Sequence, residues 1–244
     1  MISAAFSGTP VGRVYPYDRG VARYDGIAEW YDREFLPTAP QPYRLDVALR
    51  LLGEPSGRLF DLGCGTGAHT VAFRDAGWEV TGIDLSEDML RQARKRGLDV
   101  VHGNAAALPF ADESFDAVVS LWTHTDVDDF SAAVSEAARV LRPGGPFVYG
   151  GLHPCFVGPH SRFFGAKRVP ELHPGYLDEG RYGTEAPGVA PEGLRARVGA
   201  VHLSLGSFLR CFIEAGLTLE HFEEVENRPY PFMIALRWRR SPAS

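Results

Sequence analysis

Two hydrophobic periods alternate along most of this chain. From Val21 the series Tyr24, Ile27, Ala28, Tyr31, Phe35 recurs at helical spacing, and Pro37 and Pro40 are expected to end that helix. Tyr43 to Leu52 makes a second amphipathic helix before Gly53 and Pro55. Short apolar runs then predict strands at Leu59–Leu62, Trp78–Asp84, Leu98–His102, Ser114–Trp122 and Phe147–Leu152. Between them lie helical patterns: Val71 to Ala76, Ser86 to Arg96, and Asp128 to Leu141, the last with Phe130, Val134, Ala137 and Leu141 on one face. The near-continuous apolarity of the fourth strand suits a central position covered on both faces. Repeated βα units of this kind specify a parallel, doubly wound α/β sheet.

The rhythm breaks at both ends. Residues 1 to about 20 hold Gly8, Pro10, Gly12 and Pro16, a composition that sustains no helix and reads as an arm or lid. Residues 153 to about 201 contain six prolines and many glycines, with Phe156, Phe163, Phe164, Tyr176 and Tyr182 among them. A stretch this long without a periodic pattern, yet rich in aromatics, is expected to cap a substrate. Pattern returns with Leu205, Phe208, Leu209, Phe212 and Ile213 on a helix closed by Gly216. The strands Leu217 to Val225 and Phe232 to Arg239 are joined by Asn227-Arg228-Pro229, too short a link for a crossover, so they must pair antiparallel.

Composition narrows the classes. The 244 residues are 45% hydrophobic and 23% charged, which suggests neither global disorder nor a membrane span. The N-terminus lacks a basic region followed by a continuous apolar one, so a cytoplasmic location is expected. Cys64, Cys155 and Cys211 are too few and too far apart for a disulfide framework or a zinc pattern. A net charge of −6 gives no general attraction to polyanions, so no nucleic-acid partner is expected, and the basic clusters 91–96 and 237–240 read as solvated faces.

The chemistry concentrates in Leu59-Phe60-Asp61-Leu62-Gly63-Cys64-Gly65-Thr66-Gly67, where a strand ends in a carboxylate and three alternating glycines. Alternate glycines permit a tight turn and a close ligand approach to main-chain N–H groups, and a helix beginning near Gly67 is expected to offer its positive end. The spacing is not G-x-G-x-x-G, no G-K-[ST] follows, and an ionised Asp61 would repel a pyrophosphate. S-adenosylmethionine carries no phosphate; its α-ammonium suits a carboxylate at the mouth of the loop. At this motif the sequence resembles the class I S-adenosylmethionine-dependent methyltransferases, whose first motif is an acid followed by G-x-G-x-G. The second strand also ends in a carboxylate, Asp84, placed where α/β nucleoside sites hold the ribose hydroxyls. The runs Gly103-Asn104-Ala105-Ala106-Ala107-Leu108-Pro109-Phe110 and Arg139-Val140-Leu141-Arg142-Pro143-Gly144-Gly145 are further likenesses.

The resemblance implies a Rossmann-like, seven-stranded, mostly parallel sheet ending in an antiparallel hairpin, with S-adenosylmethionine as cofactor and S-adenosylhomocysteine as product. It covers residues 55–152 by motif and 203–240 by pattern. The chain then divides into an arm with lid helices (1–52), a cofactor-binding core (53–152), a cap (153–202), and a helix and hairpin completing the sheet (203–244). The implied cofactor contacts are Asp61, Gly63, Cys64, Gly65 and Asp84, with Leu85, Met89, Asn104, Ala105 and Leu121 around the adenosyl group. Tyr24 and Tyr31, in the paired Tyr-Asp pattern of the family's lid, cover it or serve as core. Asn104 stands where the family usually has Asp, so its amide oxygen is left to accept the adenine hydrogen bond without charge assistance.

Methyl transfer from a sulfonium is an in-line displacement that needs no strong base, so catalytic residues are hard to read from sequence. His124 and His153 follow strands four and five and are candidate bases; with Trp122 and His202 they are the candidate walls of the acceptor site. His153, Cys155 and His160 match no metal-ligand spacing, and no metal is expected. Two functions stay open: transfer to a small-molecule acceptor whose accepting atom is O, N, C or S, and cofactor binding without transfer. A macromolecular acceptor is a third reading.

Overall fold

The computed structural model of the chain describes residues 22–38, 45–162, 169–225 and 229–241. The arm expected over residues 1–20, Pro40, Tyr43, Phe163, Phe164 and the Asn227-Arg228 link lie outside them. Seven strands form one sheet: β1 (Arg58–Leu62), β2 (Glu79–Asp84), β3 (Asp99–His102), β4 (Ala117–Leu121), β5 (Pro146–Leu152), β10 (Leu217–Val225) and β11 (Met233–Arg240). Their order is β10-β11-β5-β4-β1-β2-β3. All neighbours from β3 to β5 are parallel, while β11 runs antiparallel to both β5 and β10. The chain direction across the sheet reverses between β1 and β4, and a ligand crevice opens at such a switch point beyond the strands' carboxyl ends.

Period-two alternation distributes the apolar strands over two helical layers. Phe60, Val118, Phe147, Tyr149, Ile234, Leu236 and Trp238 face α6 (Phe130–Val140) and α8 (Leu205–Glu214), where Phe130, Val134, Phe208 and Phe212 meet them. Leu59, Ala117, Val119, Val148, Met233 and Ala235 face the other layer, with Val47, Ala48, Leu51 and Leu52 of α3 (Leu45–Leu52) and Phe73 of α4 (Thr70–Asp75). Both faces of the central strands are thus covered, which is why their sequences are continuously apolar. Side chains start three of the helices: Ser86 accepts from Met89 N–H ahead of α5 (Glu87–Lys95), Asp129 from Ala132 N–H, and Ser204 from Ser207 N–H.

Two expected boundaries differ. Helix α4 begins at Thr70 and not near Gly67, because Gly63, Gly65 and Gly67 all have positive φ (78°, 54° and 77°) and hold the chain out of the right-handed helix until His69. The lid helix also passes Pro37. Its short α1 (Ala28–Trp30) and α2 (Leu36–Thr38) flank a π-helical turn, Tyr31–Phe35, in which Leu36 N–H reaches back to Tyr31 O. That wider turn relieves the crowding between a proline ring and the preceding helical turn.

The expected cap has structure of its own. Two small antiparallel ribbons, β6 (Ser161–Arg162) with β7 (Glu171–Leu172) and β8 (Gly180–Tyr182) with β9 (Ala200–His202), flank the short α7 (Leu194–Val198). Val201 N–H donates to Thr125 O at 2.8 Å, which ties β9 to the loop after β4. No helix among the described residues is long and apolar enough to cross a membrane.

Candidate functional site

The loop 63–69 is moulded on β2. Gly63 and Cys64 N–H both donate to Ile83 O, at 3.0 and 2.9 Å, and Gly65 N–H donates to Asp84 Oδ2 at 2.9 Å. A Cβ at Gly63 would lie 2.3 Å from Thr123 Cγ2, and one at Gly67 2.2 Å from Leu98 Cδ1, so both glycines are demanded by close approach. At Gly65 a Cβ would meet nothing within 4 Å: the loop is open there, on the side a ligand would approach. Cys64 turns inward against Gly82, and burial pushes its thiol well up. Its side chain is packing, which leaves its backbone as the part able to meet a ligand.

Two carboxylates share this loop. Asp61, 4% exposed, accepts from Thr70 Oγ1 at 2.6 Å. Burial pushes it up to about 7, against the Thr70 hydrogen bond and with help from the charge of Asp84. Asp84 accepts from Gly65 N–H and, at 2.8 Å, from Ser86 N–H, and is pushed up to about 6, chiefly by burial. Among the described residues neither acid takes part in an ion pair. A buried and a half-buried carboxylate without a cation there, beside an open glycine loop, fit a ligand that brings an ammonium and vicinal hydroxyls.

Around the expected adenine position, Leu85 is 47% exposed and able to lie on a ring, whereas Met89 is 2% exposed, beneath the start of α5. Asn104 is exposed, and its Oδ1 already accepts from Ala106 N–H at 2.9 Å while its own carbonyl accepts from Ala107 N–H. Its amide NH2 is therefore the freer half. Ala105 packs partly against the core.

At the ends of β4 and β5 the structure moves several expected roles. Leu121 is buried at the strand end, and Trp122 follows with φ +66°, a left-handed backbone that a bulky residue seldom adopts. The turn aims Trp122 toward Leu36, Tyr31 and Phe35 of the lid helix. His124 is 2% exposed; its Nδ1 pairs with the Tyr149 hydroxyl, and its ring lies 5.3 Å from Phe208 and 6.2 Å from Phe130. Burial, and secondarily Arg195, lowers it to about 3, so it is a neutral core residue. His153, equally buried, accepts at Nδ1 from Cys155 N–H (3.2 Å), which leaves Nε2–H to donate to Glu224 Oε1 at 3.0 Å. Both of its nitrogens are engaged, so it staples the turn after β5 to β10. His202 lies in β9, donates from Nε2 to Tyr176 O at 2.8 Å, and sits with its ring tilted 5.1 Å from that of His160. No three His, Cys, Asp or Glu side chains among the described residues are grouped to hold a metal.

Over the crevice, sequence reasoning missed a polar roof. Tyr24, edge-on to Tyr31 at 5.9 Å, donates its hydroxyl to Asp126 Oδ1 at 3.0 Å. Asp126 is held by both terminal nitrogens of Arg195, which also reaches Thr125 Oγ1 at 2.8 Å. Tyr182 lies half-buried beside this pair, and desolvation pushes it up to about 12. Arg197 stacks over Trp30 at 4.1 Å, and Arg23 and Arg181 both pair with Asp128. Lid and cap thus meet on the loop after β4. The tetrad Thr123-His124-Thr125-Asp126 was visible as a strand end; nothing in the proline-rich cap marked Arg195 as its partner.

The chain is similar to several known proteins. The family model described as a methyltransferase domain matches residues 60–149. Demethylmenaquinone methyltransferase of Renibacterium salmoninarum is 35% identical over 145 residues, 57% of this chain and 61% of that protein. Malonyl-[acyl-carrier protein] O-methyltransferase of Methylococcus capsulatus is 37% identical over 155 residues, 59% of this chain and 53% of that protein. The chain thus spans less than two thirds of the length of these curated relatives. Among solved structures, an S-adenosylmethionine-dependent methyltransferase of Mesorhizobium loti superposes with a TM-score of 0.69 at 26% identity, covering 82% of this chain and 99% of that one.

Proposed function

We propose that this chain, whose residues 60–149 match a methyltransferase domain, is a class I S-adenosylmethionine-dependent methyltransferase that transfers the cofactor's methyl group to a small-molecule acceptor. The observation that carries the reading is the pair of carboxylates, buried Asp61 and half-buried Asp84, on either side of an open glycine loop and without a cation among the described residues. When bound, the cofactor supplies an activated methyl on a sulfonium. Asp61 would hold its ammonium, Asp84 its ribose hydroxyls, and the backbone of Gly63 to Gly65 its amino-acid end. Leu85 would cover one adenine face, with Asn104 and Ala105 at the ring edge and Leu121 at the floor. Tyr24 and Tyr31 would roof it and exclude water.

The acceptor would enter on the side of β4 and β5, past Trp122 and beneath the cap. His124 and His153 were the expected bases, but the geometry does not favour them: both are buried and committed to other partners. The reading therefore assigns the rate to proximity and orientation, worth about 7–11 kcal/mol of a barrier. Relatives named for a quinone and for an acyl carrier-bound acid support a small acceptor without choosing its atom. The three thiols are free, which supports a reducing, cytoplasmic setting. Incubation with S-adenosylmethionine and a metabolite library tests the proposal: acceptor-dependent S-adenosylhomocysteine formation is expected. Binding of S-adenosylhomocysteine with no turnover on any small or macromolecular acceptor would leave only the binding-protein alternative.

A further inference from the structure

We propose that Arg195, a residue of the cap, is a positioning residue for the cofactor: by holding Asp126 it fixes the Tyr24 hydroxyl over the Asp84 end of the crevice. The inference rests on the reading of that crevice as the S-adenosylmethionine site. It starts from where the lid lies. Ser86 Oγ donates to Asp25 Oδ1 at 2.7 Å and Gly26 N–H donates to Asp88 Oδ2 at 2.6 Å, so residues 24–26 sit directly on the turn that follows Asp84. Tyr24 is fixed from its other end by Asp126.

Asp126 is an awkward anchor by itself. It is close enough to Asp84 to push that carboxyl upward, and it faces Tyr24 and Tyr149 with the same sign of effect. Two carboxylates in one water-poor crevice repel each other unless a cation serves one of them. Arg195 is that cation. Its fork takes both Asp126 oxygens, while Thr125 Oγ1 and, at 3.5 Å, Gly199 O fill the remaining directions. A planar, always-charged guanidinium suits such a site better than an ammonium. With Asp126 neutralised, Asp84 stays free to act as an acceptor and Tyr24 keeps its partner. The cap thereby reaches the cofactor through two residues without touching it.

The test uses the full chain and S-adenosylhomocysteine binding by calorimetry. Arg195→Met should weaken binding by roughly tenfold or more, because Asp126 is left charged and unpaired beside Asp84. Adding Asp126→Asn to Arg195→Met should restore affinity to within about threefold of wild type, since Asn still accepts from Tyr24 and removes the stranded charge. A packing role for Arg195 would show no such rescue. Hydrogen exchange of unliganded Arg195→Met should be faster across residues 22–31 than in wild type. Wild-type affinity in folded Arg195→Met, or failure of Asp126→Asn to rescue, overturns the proposal. Should Arg195→Met not fold, the comparison is read on Arg195→Lys, where loss of the fork is expected to weaken binding several-fold and unchanged affinity overturns it. If wild type itself binds no S-adenosylhomocysteine, the cofactor reading has failed, and unchanged exchange at 22–31 in the variant would remove the Tyr24 latch as well.

Discussion

The ends of β1 and β2 and the ends of β4 and β5 open on one crevice, yet they are built differently. At β1 and β2 the site is local: Asp61, the glycine loop and Asp84 lie within 24 residues, and the hydrogen bonds that hold the two acids come from that loop, the turn after β2 and Thr70 at the start of α4. At β4 and β5 the site is assembled from a distance, with Tyr24, Asp126 and Arg195 drawn from three separate parts of the chain. Short-range geometry leaves a sequence motif. Long-range pairing leaves none.

The largest effect is expected at Gly63. With φ +78° and Thr123 Cγ2 only 2.3 Å from where a Cβ would stand, Gly63→Val combines left-handed strain with a steric clash, for about 2–5 kcal/mol of lost stability. Gly65→Ala, facing open space, should lose only about 1 kcal/mol of stability. Its methyl would nevertheless project into the crevice and weaken S-adenosylhomocysteine binding. Thermal melts beside binding titrations separate the two, and equal stability loss in both variants would contradict the loop geometry.

Next in size are the histidines. His124→Ala removes a ring from between Phe130, Phe208 and Tyr149 and strands the Tyr149 hydroxyl, an expected loss of about 2–4 kcal/mol. His153→Ala deletes the tie to Glu224 and the acceptor for Cys155 N–H, an expected loss of about 1–3 kcal/mol. For both, turnover per folded molecule should stay within a few-fold of wild type on an identified acceptor. A selective fall in rate at unchanged stability would restore either one as a base. Asn104→Asp is the gentlest change. It keeps the turn to Ala106 N–H and adds a charge for the adenine amino group, so S-adenosylhomocysteine affinity should rise a few-fold.

How much was legible follows the same division. The alternation of apolar runs with helical patterns led to the parallel sheet, the short link before the last strand to an antiparallel final pair, and the resemblance carried by the glycine motif to their union in one seven-stranded sheet. Each rests on residues close together in sequence. The start of α4 was misplaced because three positive-φ glycines delay a helix that composition alone would begin earlier. Pro37 was expected to stop a helix that a π turn instead carries past it. His124 and His153 stand at strand ends, the right address for chemistry, but a strand end has two sides. Only the packing of Phe208 and Glu224, distant in sequence, shows which way each ring points. Arg195 lies among prolines and glycines with no periodic signal, and its partner is 69 residues away.

On the proposed reading, Asp61 and Asp84 together take a cationic, hydroxyl-bearing ligand. Burial holds Asp61 at about 7 and Asp84 at about 6 in the unliganded protein, so both carry protons well above the usual carboxylate range. A bound ammonium favours the ionised acid, and below about pH 7 binding must therefore expel protons. Calorimetry of S-adenosylhomocysteine between about pH 5.5 and 8, in buffers of differing ionisation heat, measures this directly. The account predicts affinity that rises with pH and levels off above about 7, with net proton release on the rising limb that shrinks in Asp61→Asn to the part near pH 6 that belongs to Asp84. Tight binding with no pH dependence and no proton release, or no binding at any pH, would contradict it.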